Sequence, residues 1–137
     1  MANNIRVGVI GVGWGSSVHV PAFRSVPGYE VVALCGRSAR VADIGAKAGV
    51  TDTSTDWESF VRRADLDLIA ITTPPSQHRA MSLAAIAAGK HVLCEKPMAL
   101  NATEAAEMTA AADKAGVVAA IGQDRKSTRL NSSHVKR

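Results

Sequence analysis

Short, mostly apolar runs alternate along the chain with longer helix-forming stretches. Ile5 to Ile10, Glu30 to Cys35, Leu68 to Thr72, His91 to Cys94 and Val117 to Ile121 have the length and composition of strands buried in a parallel sheet. Leu68-Ile69-Ala70-Ile71-Thr72 is uninterrupted and belongs in the sheet centre. Between these runs the sequence predicts helices over Ser17 to Val26, interrupted by Pro21, over Ala39 to Lys47, from Gln77 or His78 to Ala88, and over Thr103 to Ala115. A further helix carries Trp57, Phe60 and Val61, capped by Thr55 or Asp56 and closed at Asp65-Leu66-Asp67. Gly49, Gly89 and Gly116 stop three of the helices. Val50-Thr51 is a short third strand at most. Strands alternating with helices, through connections too long for hairpins, predict a parallel sheet covered on both faces.

The first run breaks abruptly into glycines, Gly11-Val12-Gly13-Trp14-Gly15-Ser16. This reads as a strand feeding a phosphate-binding turn. Gly11 and Gly13 let the backbone turn tightly and approach a pyrophosphate, and the amides opening the next helix face the anion. The third glycine position of the dinucleotide fingerprint holds Ser16, small enough for close packing of helix on strand. Taken alone, two such glycines are weak evidence, because glycines after a strand also mark ordinary turns.

Composition narrows the class. The 137 residues suit one domain, 47% are hydrophobic and 20% charged, and only 4% are aromatic, so aliphatic strands and alanine-rich helices must build the core. No apolar run is long enough to span a membrane and the start shows no secretory pattern, which sets the expectation of a soluble cytoplasmic protein. Cys35 and Cys94 each end an apolar run and read as reduced, buried thiols rather than a disulfide or a metal site. The net charge of +4 is local: residues 126–137 hold four of the 16 basic residues and none of the 12 acidic ones, so the rest of the chain is balanced. No nucleic-acid partner is expected of such a body, and the basic stretch lacks interleaved aromatics.

The unusual loops all fall after strands: Gly11 to Ser16, Gly36 to Arg40, Thr72 to Ser76 and Glu95-Lys96-Pro97. In an open parallel sheet ligands bind beyond the carboxyl ends of the strands, so this asymmetry points to a dinucleotide. An acid that holds the adenosine ribose of NAD sits at the end of the second strand. Glu30 has the spacing but begins that strand, whereas its end offers Gly36, Arg37 and Ser38. A guanidinium without a neighbouring carboxylate suits a 2′-phosphate, hence NADP(H), with NAD(H) as the alternative. Otherwise Arg37 is only a solvated loop arginine.

The glycine turn with His19 following, Thr72-Thr73-Pro74-Pro75-Ser76-Gln77-His78, and Ala88-Gly89-Lys90-His91-Val92-Leu93-Cys94-Glu95-Lys96-Pro97 together resemble the Gfo/Idh/MocA family of oxidoreductases over about residues 4 to 123. The resemblance implies a Rossmann-type doubly wound sheet of order 3-2-1-4-5-6. It also implies that the loop carrying Thr73, Pro74 and His78 lies along the nicotinamide riboside, that Glu95 holds cofactor ribose, and that Lys96 sits near the nicotinamide and the substrate hydroxyl. Lys96, held between an acid and a proline at a strand end, suits proton relay if it is partly desolvated. His19 reads as structural, His91 points away from the site, and Cys94 belongs to the core.

Family members continue into a second, mostly antiparallel domain with substrate contacts and usually the oligomer interface. Here a crossover expected near Gln123 to Arg125 gives way to Ser, Thr, Asn, Lys and Arg without period, a stretch that cannot bury enough surface to order itself. The expectation is a nucleotide-binding domain over 1–123 and a disordered tail over 124–137, the end of a truncated or mis-assembled reading frame. The function read from these features is the nucleotide-binding half of an oxidoreductase acting on a sugar, polyol or related small molecule. A non-catalytic dinucleotide sensor is the alternative.

Overall fold

The computed structural model describes residues 3–122. The crossover expected at Gln123 to Arg125 and the tail over 124–137 lie outside the described residues.

Six strands form one sheet: β1 (Ile5–Ile10), β2 (Tyr29–Cys35), β3 (Thr53–Ser54), β4 (Leu68–Ile71), β5 (His91–Glu95) and β6 (Ala119–Gly122), in the order β3-β2-β1-β4-β5-β6. All five pairings are parallel. This is the 3-2-1-4-5-6 order implied by the resemblance. The chain builds outward from β1 to β3, returns to the middle, and builds outward again from β4, so the order reverses where Val7–Ile10 pairs with Leu68–Ile71. Connections leave β1 and β4 on opposite faces, and a crevice opens at their carboxyl ends.

Period-two alternation divides the core between the two faces. Val7, Val9, Leu34 and Ala70 pack with Val20 of α1 (Val20–Arg24) and Val41 of α2 (Arg40–Ala48). Ile10, Ile69, Ile71 and Val92 pack on the other face with Phe60 of α3 (Trp57–Phe60), Met81 and Ala85 of α4 (His78–Ala87), and Met108 of α5 (Ala102–Ala115). Central β4 is buried on both faces from Ile69 to Ile71, which is why its sequence shows no alternation. Among the described residues no helix is long and apolar enough to cross a membrane.

Several boundaries differ from those the pattern predicts. The third strand is Thr53–Ser54, not Val50-Thr51. Val50, 2% exposed, is drawn into the core at the end of α2, where its amide donates to Gly45 O at 2.7 Å. Strand pairing therefore starts later, at Leu34 with Thr53. Of the two candidate caps for α3, Asp56 does the capping: its carboxylate accepts from the Glu58 amide at 3.2 Å. Asn101 begins α5 one residue early by accepting from the Glu104 amide at 2.9 Å, while Glu104 accepts from the Leu100 amide at 3.1 Å.

The amino-terminal edge of the sheet is closed by structural polar groups. Arg6 and Asp67 form a two-pronged pair at 2.9 and 3.0 Å, and Glu30 lies beside Arg6, away from the crevice. Lys90 is 8% exposed and donates to Arg63 O at 2.6 Å and Leu66 O at 2.7 Å. Those carbonyls close the turns after α3, so a buried lysine substitutes for a helix cap. His91 accepts from the Val118 amide at 3.0 Å, on the edge facing away from the crevice.

Candidate functional site

The glycine turn is locked to its neighbours on both sides. Gly11 has φ of +114°, and a Cβ there would run into Thr72 Oγ1 and come within 3.0 Å of the Thr72 carbonyl carbon. The Gly11 amide donates to Cys35 O at 2.9 Å, and both the amide and the hydroxyl of Thr72 donate to Ile10 O at 2.8 Å. The ends of β2, β1 and β4 are thereby joined in one plane. Gly13 differs: a Cβ there would meet nothing within 4 Å, and its φ is not positive. The fold itself does not require a glycine at 13.

After the turn, Gly15–His19 forms a wide π-type turn that runs into α1, closed by the Val20 amide donating to Gly15 O. Close packing of helix on strand is made by Gly15, whose Cβ would lie 2.8 Å from both Val9 Cγ1 and Thr72 Oγ1. The Ser16 hydroxyl instead donates to Val12 O, folding the turn back on itself. The packing role of the third fingerprint glycine has moved one residue earlier.

A cleft of about 490 Å³ opens over this turn. It is lined by Gly11, Val12, Gly13 and Trp14 from the turn, by Gly36, Arg37 and Ser38 after β2, and by Thr72, Thr73 and Pro74 after β4. Arg40, Thr55, Trp57 and Gln77 also line it, and pattern reading did not select them. Trp57 has the spacing of a core residue on a short helix, and the placement of α3 against α4 leaves it half-buried with part of it lining the cleft. Arg40 opens α2, one turn beyond Arg37, so two guanidinium groups flank the far end. Cys35 lines the cleft wall as a buried thiol, pushed up to about 11 by desolvation, and Cys94 lies in the core at about 12 for the same reason.

The remaining selected residues surround the cleft rather than line it. His78 is wholly buried, and its ring nitrogens lie 2.8 Å from Pro97 O and 2.7 Å from Thr73 O. It ties the loop after β4, which lines the cleft, to the loop after β5. Glu95, the last residue of β5, pairs with His19: Nε2 lies 2.8 Å from Oε2. Lys96 follows on an exposed loop whose Lys96–Pro97 peptide is cis. Lys96 itself is exposed among the described residues.

These residues fit a dinucleotide. Gly13 leaves open the space a pyrophosphate needs, at the entry to the wide turn that runs into α1. The cleft runs from there to the two arginines in one direction and toward Thr73 and Pro74 in the other.

A family model described as an oxidoreductase family with an NAD-binding Rossmann fold, Gfo/Idh/MocA, matches residues 5–123. The chain belongs to this family. Among curated relatives, 1,5-anhydro-D-fructose reductase of Ensifer adhaerens is 40% identical over 114 residues, covering 82% of this chain and 34% of that protein. The scyllo-inositol 2-dehydrogenase (NADP(+)) of Bacillus subtilis is 31% identical over 115 residues, covering 83% of this chain and 35% of that protein. The crystal structure of an oxidoreductase domain protein from Kribbella flavida superposes with a TM-score of 0.83 at 38% identity, covering 88% of this chain and 35% of that one. This Gfo/Idh/MocA chain thus spans about a third of the length of these relatives.

Proposed function

We propose that the chain is the nucleotide-binding part, residues 1–123, of an NADP(H)-dependent oxidoreductase that acts on a sugar, polyol or related hydroxyl compound. The observation that carries the cofactor reading is the pair Arg37 and Arg40 at the β2 end of a cleft that no carboxylate lines among the described residues. A 2′-phosphate there meets two guanidinium groups, and Asp56, the carboxylate that acts on Cys35 in the same wall, is engaged in capping α3 rather than lining the cleft. A relative with NADP(+) in its name is consistent with this.

In this reading Gly11 to Ser16 receive the pyrophosphate and Gly36 to Ser38 the adenosine end. Thr72, Thr73 and Pro74 border the nicotinamide riboside, with His78 holding their loop. Glu95 accepts from ribose hydroxyls. The bound nicotinamide supplies the hydride donor or acceptor. Lys96, at the carboxyl edge beside that end, relays the proton lost or gained by the substrate oxygen. The sugar or polyol class rests on the names of two relatives and on this pairing of a proton relay with a hydride carrier. A further domain, of the kind the relatives' extra length accommodates, supplies the pocket wall over Lys96.

Both tryptophans of the chain, Trp14 and Trp57, line the cleft, so their emission reports on its occupancy. Titration with NADPH and NADH should quench that emission for both, at lower concentration for NADPH. Equal affinity, or tighter NADH, overturns the NADP reading; no binding of either overturns the dinucleotide reading.

A further inference from the structure

We propose that His19 is a positioning residue for the cofactor's second ribose, acting through Glu95. The inference rests on the reading of Glu95 as a ribose acceptor and adds the group that aims it.

The geometry is specific. His19 stands in the wide turn after the glycine loop, one turn beyond Gly15, and Glu95 ends β5. Strands β1 and β5 are not neighbours, because β4 lies between them. The His19 to Glu95 contact therefore reaches across the end of β4, and no strand pairing demands it. The His19 side chain is only 10% exposed and that of Glu95 22%. A carboxylate can only accept, so Nε2–H of His19 donates to Oε2. The His19 ring also lies beside Phe23, with centroids 6.4 Å apart, which limits its rotation.

Beneath the carboxylate, Gly122 of β6 carries no side chain, and a Cβ there would stand 3.3 Å from Oε2. Glu95 is thus held on one oxygen by the imidazole and seated over bare backbone, with Oε1 near the Lys96 amide at 3.4 Å. A carboxylate whose rotation is already restricted loses less freedom when it accepts from a ribose diol. The interruption of regular helix at Gly15–His19 is consistent with such a role, since π-type turns recur at functional sites. The contact also joins the phosphate turn to the Glu95-Lys96-Pro97 loop, the two parts that must hold opposite ends of one half of the cofactor.

The test uses the 137-residue chain and two ligands followed by tryptophan emission. NADPH contains the second ribose, and adenosine 2′,5′-bisphosphate lacks it. His19→Met keeps the bulk of the ring without a donor, and His19→Gln keeps a donor near Nε2. His19→Met should weaken NADPH about fivefold and leave the bisphosphate unchanged, and His19→Gln should recover most of that loss. With Glu95→Gln already present, His19→Met should add little. A loss shared by both ligands, or an undiminished loss in the Glu95→Gln background, overturns the positioning role while leaving the dinucleotide reading intact. Unchanged NADPH affinity in Glu95→Gln overturns both the ribose role of Glu95 and the proposal. Should His19→Met fail to fold, His19→Leu takes its place: a loss for NADPH alone that disappears in the Glu95→Gln background supports the role, and a loss shared by both ligands, or no loss, overturns it.

Discussion

Thr72 occupies the space that a side chain on Gly11 would need: its hydroxyl donates to Ile10 O at 2.8 Å and stands where the Cβ of residue 11 would fall. The carboxyl ends of β1 and β4 are brought together by that contact, and the crevice opens beside it. Gly11→Ala should destabilise the chain by about 2–4 kcal/mol, through positive φ and collision together. Thr72→Ala should relieve part of the loss in the double variant, because the collision disappears while the strained φ remains. Urea melting of the four proteins measures the coupling.

Gly13 should behave in the opposite way. A side chain there meets nothing in the free chain, so Gly13→Val should change stability by no more than about 0.5 kcal/mol and yet abolish NADPH binding. Melting and titration of the same sample separate the two effects. Retained affinity in a cooperatively melting variant would show that the open space at 13 is not where the pyrophosphate lies.

Arg37→Ala should weaken NADPH about ten- to a hundredfold and leave NADH nearly unchanged, as expected for one charge-assisted contact to a 2′-phosphate. Arg40→Ala should act in the same direction. Equal losses for both cofactors would mean that the arginines serve the fold or the shared part of the ligand.

Asp67 is held down to about 2 from an ordinary value of 3.8, first by the hydrogen bond from the Arg6 side chain. A carboxylate whose folded value is depressed stabilises fully above its unfolded value and ceases to do so as pH falls through the folded one. Asp67→Asn should therefore lower the melting temperature at neutral pH, with the difference shrinking between about pH 4 and pH 2. The effect should be small, because both side chains of the pair are more than a third open to water. A difference that persists unchanged to pH 2 would assign it to packing.

Lys96 is exposed, and no described residue closes a pocket over it. Hydride transfer needs the substrate carbon held at about 3–3.5 Å from its partner, so the chain should bind cofactor without turning over sugars or polyols. Absorbance of reduced cofactor in the presence of NADP⁺ and a polyol panel checks this. Steady turnover that Lys96→Met removes would show these residues to be sufficient.

What the sequence determines by itself is what local chemistry controls. Buried parallel strands are apolar along their whole length, as from Leu68 to Ile71, and helices stop at Gly49 and Gly116 because the chain there turns left-handed, at φ of 78° and 72°. The parallel order and the crevice then follow, since parallel strands need crossovers and the glycine turn sits at the end of the first strand. Tertiary structure decided the rest. Strand β3 has two polar residues and no apolar signal, and exists only because β2 offers it an edge. Gly15 rather than Ser16 packs against β1 because the wide turn sets which residue faces Val9. Trp57 and Arg40 reach the cleft, and His19 meets Glu95, through approaches between segments distant in sequence. Spacing cannot express these approaches, because they depend on which strands stand side by side and how far each helix leans over their ends.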